Sequence, residues 1–496
     1  MDRVIVPRAT RREWIGLAVL MLPTLLIVMD LTVLHLAVPH LSEDLQPTSA
    51  QLLWIVDIYG FMIAGSLITM GTLGDRIGRR KLLLLGATAF GVASILAAFS
   101  TSAAMLIATR ALLGVAGATL MPSTLSLIRN MFLDPRQRTT AIGIWVSGFS
   151  VGSAIGPLVG GFLLEHFWWG SVFLLGVPVM VILLIAGPLL LPEYKDPHPG
   201  KFDLLSAGLS LAAVLLVIYG LKQIAQEGFD VIPALSIIAG LVVATMFVRR
   251  QQILPNPLID LRLFRVPAFS ASLVTYTLGA GIAFGTFLFV AQYLQLVLGL
   301  SPLNAGLWSL PGAVTSIIGS NIAPVIVRRV RPAFVVSGGL ILAAFGLLLI
   351  TQIGTNSLAL IVIGNVLMSL GFGMTFTLTA DLVVGSAPPE RAGAASAISE
   401  TGAEFGGALG IAVLGSLGMA IYRSGMAAGL PPGIPAEAAA AAQETLGGAL
   451  AVASELPDQL GTALLSVAHE GFVHGLQVIA LIGIVAFVSA AVVRRL

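Results

Sequence analysis

Fourteen apolar runs of about 20 residues follow one another along this 496-residue chain, and that is the length a helix needs to cross a bilayer. Only 10% of the residues are charged, whereas soluble domains carry about 25%. The sequence therefore predicts an all-α integral membrane protein with fourteen transmembrane helices. The predicted spans cover residues 14–38, 52–72, 82–99, 103–127, 140–164, 171–191, 203–222, 231–248, 268–298, 302–327, 333–352, 357–384, 392–420 and 471–493.

The basic residues are shared unevenly between alternate loops. Cytoplasmic loops of membrane proteins hold the excess of Lys and Arg. If the N-terminus is inside, all but three of the 26 basic residues fall on the inner side. The exceptions are Arg110 within span 4, and Lys222 and Arg423 in loops assigned to the outer side. We expect both termini in the cytoplasm, and the N-terminus to be a first span rather than a cleaved signal peptide.

Several classes of function are excluded by what the sequence lacks. The chain has no cysteine, which excludes disulfides, thiolate metal sites and cysteine nucleophiles. Its six histidines have no metal-ligand spacing, and its basic residues are spread over loops rather than grouped for nucleic acid. No GxxxxGKS or GxxxxGKT pattern offers an ATP-binding loop. We therefore expect a protein that is not an enzyme, with no cofactor and an ion gradient as its energy source.

Four acids lie inside the apolar runs, namely Asp30, Asp57, Glu400 and Glu404. A carboxylate at the bilayer centre costs about 2.5–3.5 kcal/mol even on the lenient insertion scale. Such a residue is expected to bind a cation, carry a proton or pair with a buried base. Glu400 and Glu404 are four residues apart, which places them on one helical face. Two acids so close in a low dielectric should not both be ionised, as a proton carrier requires.

Arg110 lies deep in span 4, where snorkelling to the interface does not explain it. It either pairs with carbonyls or a nearby acid, or tunes proton-binding acids, and these two interpretations are compatible. Aromatic side chains beside the acids are candidates for holding an organic cation by cation–π contact, worth about 0.5–2 kcal/mol. Trp54 and Tyr59 flank Asp57 and are the best candidates, and Phe284 and Phe376 are others.

Two glycine-rich motifs lie in the first half of the chain. The loop after span 2 reads Gly71-Thr-Leu-Gly-Asp75-Arg76-Ile-Gly78-Arg79-Arg80-Lys81. Its glycines permit a tight turn, and Asp75 can cap a helix N-terminus or pair with a basic residue across an interface. Span 5 carries Gly152-Ser-Ala-Ile-Gly156-Pro157-Leu-Val-Gly160-Gly161. Its small residues let a partner helix pack closely, and its proline bends the helix.

These motifs resemble the signature loop and the antiporter motif of the major facilitator superfamily. Span 1, with Asp30-Leu-Thr32-Val-Leu-His35, and the start of span 2, with Leu53-Trp54-Ile-Val-Asp57-Ile-Tyr59, are similar to its fourteen-span drug/proton antiporter family. Within that family the chain resembles the quaternary-ammonium and multidrug efflux pumps of the QacA, SmvA and LfrA type. The resemblance covers essentially the whole chain.

The resemblance implies two six-helix halves, residues 1–191 and 268–496, with two inserted helices in 192–267 and rocking motion about a central cavity. It implies a monomer in the bacterial inner membrane that exchanges lipophilic cations, such as quaternary ammonium compounds and ethidium, for protons. The residues implied to bind the cation or couple protons are Asp30, Asp57, Arg110, Glu400 and Glu404. Those implied to control the conformational switch are Gly71, Asp75, Arg76, Gly78, Arg79, Gly152, Gly156, Pro157, Gly160 and Gly161.

Some features depart from the family pattern or leave alternatives open. Gly176 replaces a usual Asn, and an acid that some of these pumps carry in span 10 is absent from the stretch 312–319, which is expected to narrow the preference for dications. A dedicated exporter of one metabolite or antibiotic is an alternative function. A receptor or channel is disfavoured by the two-half design with its switch motifs.

Two further predictions concern the second half of the chain. Asp381 near the inner end of span 12 is expected to pair with Arg391 or Arg328. The segment 425–468 is expected to form an extracellular helical hairpin that caps the outer face, and a substrate gate is the alternative.

Overall fold

A computed structural model describes residues 8–197, 203–227 and 230–493. Within these residues, fourteen helical segments are long and apolar enough to cross a membrane by length and composition, which confirms the predicted number of spans. The helices are α1 (Arg11–Leu45), α2 (Ser49–Ile77), α3 (Arg79–Ala98), α4 (Ala103–Met131), α5 (Pro135–His166), α6 (Ser171–Leu174), α7 (Gly176–Leu190), α8 (Leu204–Glu227), α9 (Val231–Ile253), α10 (Pro267–Gln292), α11 (Pro302–Ile326), α12 (Pro332–Ile350), α13 (Leu358–Gly385), α14 (Ala392–Gly429), α15 (Ala436–Glu444), α16 (Leu446–Glu455) and α17 (Asp458–Val493).

Several helices begin where the local sequence satisfies the free backbone N–H groups of a first turn. Thr10 and Glu13 form a capping box at the start of α1, and Thr48 and Gln51 form another at α2. Ser301 caps α11, in which a proline takes the first helical position and removes an N–H that would have no partner. These caps define where the spans enter the fold.

Two large hydrophobic cores are present, one in each half. The first is built mainly from α1 to α7 and includes the fully buried Trp145 and Phe132. The second is built from α10 to α17 and includes Phe472 and Phe487. Each core therefore collects helices that are neighbours along the chain.

Helix α8 lies between the two halves. Its Ile218 packs with Phe61 of α2, while its Val217 and Leu221 pack with Ala412 of α14. Helix α9 packs against α8, where Gly240 lets the backbone approach Val217 closely. The inserted pair is therefore attached to both halves through α8.

The segment between spans 13 and 14 contains the short helices α15 and α16, joined at Thr445, which caps α16. The hydroxyl of Tyr422 in α14 donates to the carbonyl of Ala442 at 2.8 Å and anchors this pair. The irregular part is shorter than the predicted 425–468, because α14 continues to Gly429 and α17 already begins at Asp458. Arg423, predicted in a loop, lies within α14, since helices extend beyond the apolar stretch that predicts them.

Candidate functional site

The end of α2 and the start of α3 contact the other half at the predicted cytoplasmic end. Asp75 pairs with Arg79 at 2.6 Å and also accepts hydrogen bonds from the backbone N–H groups of Gly393 and Ala394, at 3.0 and 2.9 Å. Those N–H groups lie in the first turn of α14, where the helix dipole favours a negative charge. Asp75 thus does both things that the sequence allowed, capping a helix of the other half and pairing with a base. We call Asp75, Arg79, Gly393 and Ala394 the latch.

Glycines and neighbouring side chains support the latch. Gly71 leaves no room for a side chain, because Ala397 and the carbonyl of Gly393 approach it from α14. Gly78 has a φ of 112°, which only glycine adopts easily, and this allows α3 to begin directly after α2. Arg79 also donates to the carbonyl of Pro389 at 2.8 Å, so the same guanidinium reaches both halves. Arg76 donates to the carbonyl of Asn256 in the linker before α10 at 3.5 Å.

Tyr194 extends this contact region. Its ring lies 5.1 Å from the Arg79 guanidinium carbon, and its hydroxyl donates to Glu390 at 3.3 Å. Partial burial raises the pKa of the Tyr194 phenol, and the nearby Glu390 carboxylate raises it further. The phenol therefore keeps the proton that it donates across the contact.

A second ion pair joins the halves beside the latch. Asp381 of α13 pairs with Arg138 of α5 at 2.6 Å and accepts from the Thr139 hydroxyl at 2.6 Å. The prediction that Asp381 pairs with Arg391 or Arg328 is wrong, and Arg391 instead pairs with Asp260 at 2.8 Å. The partner lies 243 residues away in the chain, so only the packing of the two halves reveals it.

The contacts between α5 and α11 continue inward from that pair. A side chain at Gly143 would collide with the carbonyl of Ser320, and the hydroxyls of Ser147 and Ser320 are 2.8 Å apart. Ser150 donates to Ser316 at 3.0 Å. These small polar contacts, the latch and the Arg138–Asp381 pair hold the two halves together along the predicted cytoplasmic part of the molecule.

Asp30 is paired with Arg110. The Arg110 Nη1 lies 2.6 Å from Asp30 Oδ2, and Arg110 Nε donates to the carbonyl of Ile55 at 3.1 Å. The guanidinium is fully buried and lies 4.7 Å from the centre of the Tyr59 ring. The structure therefore brings together three residues that the sequence singled out separately, one each from α1, α2 and α4.

The antiporter motif packs against the helix that carries Asp30. A side chain at Gly156 would collide with the Thr32 hydroxyl, and one at Gly160 would lie 2.7 Å from Val33 Cγ1. Gly152 faces the backbone of Leu25 in the same way, whereas a Cβ at Gly161 would meet nothing within 4 Å. Pro157 lies within the same helix. The glycine face of α5 therefore fixes the position of α1 around Asp30.

Asp57 pairs with a residue that the sequence did not single out. Lys222 Nζ lies 2.5 Å from Asp57 Oδ1. The prediction that Lys222 occupies an outer loop is wrong, because α8 continues to Glu227 and carries Lys222 against α2. A lone lysine near the end of an apolar run has the sequence signal of a snorkelling interfacial residue, so the pairing was not predictable.

Glu400 and Glu404 have a different environment. Both lie on α14, and Glu400 is buried with its Oε1 lacking a hydrogen-bond partner among the described residues. The described part of the chain shows no ion pair to either glutamate. Tyr276 of α10 is close enough for its phenol to be affected by the charges of both acids.

The four aromatic candidates are placed differently. Trp54 is 40% exposed and stacks on Tyr219 of α8 with ring centres 6.4 Å apart. Phe376 meets the ring of Tyr276 edge-on at 5.2 Å, next to the α14 acids. Tyr59 is fully buried against Arg110, and Phe284 is 54% exposed and contacts Gly407. Trp54 and Phe284 are therefore open on one side, Tyr59 is enclosed beside Arg110, and Phe376 packs on Tyr276.

Fourteen spans, two cores joined at one end and buried acids in both halves agree with the match of residues 20–411 to the Major Facilitator Superfamily. The chain belongs to this superfamily. Membership makes it a membrane transporter rather than an enzyme.

Relatives and solved structures support the same assignment. The chain is 46% identical to the multidrug efflux pump LfrA of Mycolicibacterium smegmatis, over 98% of this chain and 96% of that protein. It is 36% identical to the methyl viologen resistance protein SmvA of Salmonella typhimurium, over 93% of each. It is 33% identical to the tetracenomycin C resistance and export protein of Streptomyces glaucescens, over 97% and 91%. The fold resembles the human organic anion transporter MFSD10, with a TM-score of 0.63, 16% identity and coverage of 96% and 99%.

Proposed function

We propose that this transporter exports lipophilic organic cations in exchange for protons. The observation that carries the proposal is the pair of carboxylates on α14, which has no paired base among the described residues. In a low-dielectric interior, two neighbouring acids hold a shared proton more easily than two negative charges. Loss of that proton leaves a negative charge, and an organic cation can neutralise it.

Protons and organic cations exchange because both bind the same carboxylates and cannot do so at the same time. A cation from the cytoplasm or the inner leaflet binds when a carboxylate is free, and the halves then rock so that the cavity faces outward. Protons from outside neutralise the carboxylate and release the cation. The protonated pair costs less to bury than an unpaired charge, which favours the return of the empty transporter to its inward-facing state.

Asp30 and Arg110 are proposed to couple proton binding to this cycle. The Tyr59 ring packs against the Arg110 guanidinium, and its phenol lies within electrostatic range of both Asp30 and Glu404. If Asp30 took up a proton, it would lose its ionic attraction for Arg110, and the positive charge would then be unbalanced beside Tyr59. The pair therefore offers a route by which a proton on α1 changes the field at α14.

The substrate class is inferred from the site and the relatives together. Trp54 and Phe376 offer aromatic faces beside acids, and an aromatic face attracts an organic cation. The names of the relatives include multidrug efflux and resistance to methyl viologen, which is an aromatic dication. We therefore expect quaternary ammonium compounds and planar dyes such as ethidium to be substrates.

The latch and the Arg138–Asp381 pair support an outward-facing arrangement in the described structure, since they close the predicted cytoplasmic end. We propose a monomer in the bacterial inner membrane with both termini in the cytoplasm, powered by the proton gradient and without a cofactor.

A second candidate is export of a single antibiotic or metabolite. It is favoured by the 33% identity to a tetracenomycin C resistance and export protein. Competition among structurally different cations separates the two: a transporter that moves only one compound supports the dedicated exporter.

The test uses the purified full chain in proteoliposomes. Ethidium transport and substrate-induced proton release are measured for the wild type and for Asp30→Asn, Asp57→Asn, Glu400→Gln and Glu404→Gln. Glu437→Gln is the matched control, because Glu437 is exposed on α15. We expect Glu400→Gln and Glu404→Gln to lose proton release and most transport.

Two results contradict the proposal. Transport of ethidium that continues after the proton gradient is collapsed contradicts antiport. Unchanged transport and proton release in Asp30→Asn contradicts the coupling role given to Asp30.

A further inference from the structure

Lys222 occupies a place that is built like a site for an organic cation. Its ammonium is 2.5 Å from the Asp57 carboxylate and 4.7 Å from the centre of the Phe61 ring. Trp54 meets Phe61 edge-on at 6.0 Å and stacks on Tyr219. A carboxylate with aromatic faces around it is the set of contacts that holds ammonium groups in proteins.

The same ammonium lies within range of both halves of the transporter. It is carried by α8, which packs against α2 on one side and α14 on the other. Its carboxylate partner among the described residues is Asp57. A change of position of Lys222 would therefore expose the negative charge of Asp57 to a substrate and leave the α14 acid pair as it is.

The ammonium of Lys222 is able to move away from the Asp57 carboxylate. Its side chain is 32% exposed, while the Asp57 side chain is only 14% exposed. Arg110, the other base in the interior, is fully buried and also donates to a backbone carbonyl. A lysine ammonium on a flexible four-carbon stem makes a point contact and can swing away from the carboxylate, whereas a buried guanidinium is fixed by its hydrogen bonds.

We propose that Lys222 is a tethered occupant of a second cation site at Asp57, and that it sets the selectivity of the transporter between monocations and dications. This rests on the proposed function. A monocation needs only the negative charge of the α14 pair. A dication also needs a counter-charge for its second positive group, and it obtains Asp57 only by displacing Lys222. The lysine therefore weakens dication binding and leaves monocation binding nearly unchanged.

The test measures binding to the purified full-length protein by equilibrium dialysis. Methyl viologen is the dication and tetraphenylphosphonium the monocation. A competing internal group lowers apparent affinity by the fraction of time that it occupies the site, so Lys222→Gln is expected to lower the Kd for methyl viologen about tenfold and to change that for tetraphenylphosphonium by less than about twofold. In Asp57→Asn/Lys222→Gln the gain for methyl viologen is expected to disappear.

Lys222→Arg provides a second test that keeps the charge and the contact with α2. A guanidinium can hold a carboxylate with two hydrogen bonds, so it is harder to displace. We expect a higher Kd for methyl viologen and an unchanged Kd for tetraphenylphosphonium. This variant decides the matter if Lys222→Gln does not yield a monodisperse protein.

The outcomes separate this inference from the function on which it rests. If the wild type binds neither cation, the proposed function fails and the inference fails with it. If the wild type binds tetraphenylphosphonium and Glu400→Gln does not, the proposed function stands. The inference alone is then overturned if Lys222→Gln leaves the Kd for methyl viologen unchanged or weakens the binding of both cations, as expected for a lysine that only pins α8 to α2.

Discussion

Asp30 in the N-terminal half and Glu400 in the C-terminal half are acids of transmembrane helices, the first partly buried and the second buried, but their surroundings are opposite. Asp30 has an arginine at 2.6 Å. Glu400 has an unpartnered oxygen and, in the described residues, no ion pair. A paired charge can persist as a stable part of the fold, while an unpaired acid must take a proton or a cation to be buried at low cost. We therefore propose that the α14 pair exchanges proton and cation directly, while Asp30 keeps its negative charge through Arg110 until a proton neutralises it.

The largest expected effect comes from removing Arg110, the base that pairs with Asp30. In Arg110→Met, Asp30 becomes an uncompensated carboxylate, and breaking a buried pair on one side costs about 3–5 kcal/mol. We expect a large fall in the unfolding temperature of the purified protein in detergent.

The double variant Asp30→Asn/Arg110→Met removes both charges and is the control. It is expected to recover most of the lost stability without recovering proton-coupled transport. Equal instability of the single and double variants would mean that packing of the arginine, and not its charge, holds this region.

The next prediction concerns the packing of α5 against α1, the helix that carries Asp30. Gly156→Val places a branched side chain against the Thr32 hydroxyl of α1, and overpacking of this kind costs about 1–3 kcal/mol. We expect lower stability and slower ethidium transport.

Gly161→Val is the matched control for that variant, since it lies in the same motif and a Cβ there meets nothing within 4 Å. Thermal unfolding and transport of the two variants are compared. Equal effects at both positions would show that the motif responds to helix propensity and not to its contact with the Asp30 helix.

Replacing Glu400, which has no ion pair among the described residues, should raise the stability of the fold. Glu400→Met replaces an acid that lacks a partner by an apolar side chain of similar length, and relieving an unsatisfied buried group is expected to stabilise the fold by about 1 kcal/mol. Transport is expected to be lost. Unfolding temperature and transport are measured on the same preparation, and we expect the first to rise and the second to be lost. A fall in stability would show that Glu400 has a structural partner.

Much of the fold follows from local patterns, whereas the pairing in the site does not. The apolar runs predicted the spans because crossing a bilayer requires a fixed length, and Gly71 and Gly156 stood out because close helix contact requires a missing side chain. The buried position of Glu400 and the partly buried position of Asp30 agree with their depth in apolar runs. None of these signals states which residue faces which across the molecule.

The ion pairs between residues far apart in the chain could not be predicted from the sequence. Arg138–Asp381 and Lys222–Asp57 join residues 243 and 165 positions apart, and a single sequence contains no measure of such distances. Lys222 was also assigned to a loop, because the end of an apolar run is a poor guide to the end of a helix. The division of acids into paired and unpaired sets therefore came only from the packed structure.

The smallest expected effect concerns the ion pair between Asp203 and Arg250, which lies outside the interior. Asp203 at the start of α8 accepts from Arg250 of α9 at 2.7 Å and from the Ser206 hydroxyl at 2.6 Å. These two hydrogen bonds hold the pKa of the Asp203 carboxyl below its usual range.

A carboxyl whose pKa is depressed in the folded state stabilises the fold at pH values above its unfolded-state pKa of about 3.9, and this contribution is lost as the pH falls further. We expect Asp203→Asn to lower the unfolding temperature slightly at pH 7 and the difference from the wild type to shrink as the pH falls below about 4. A difference that stays constant with pH would show that the hydrogen bonds at the start of α8, and not the charge of Asp203, stabilise the inserted pair.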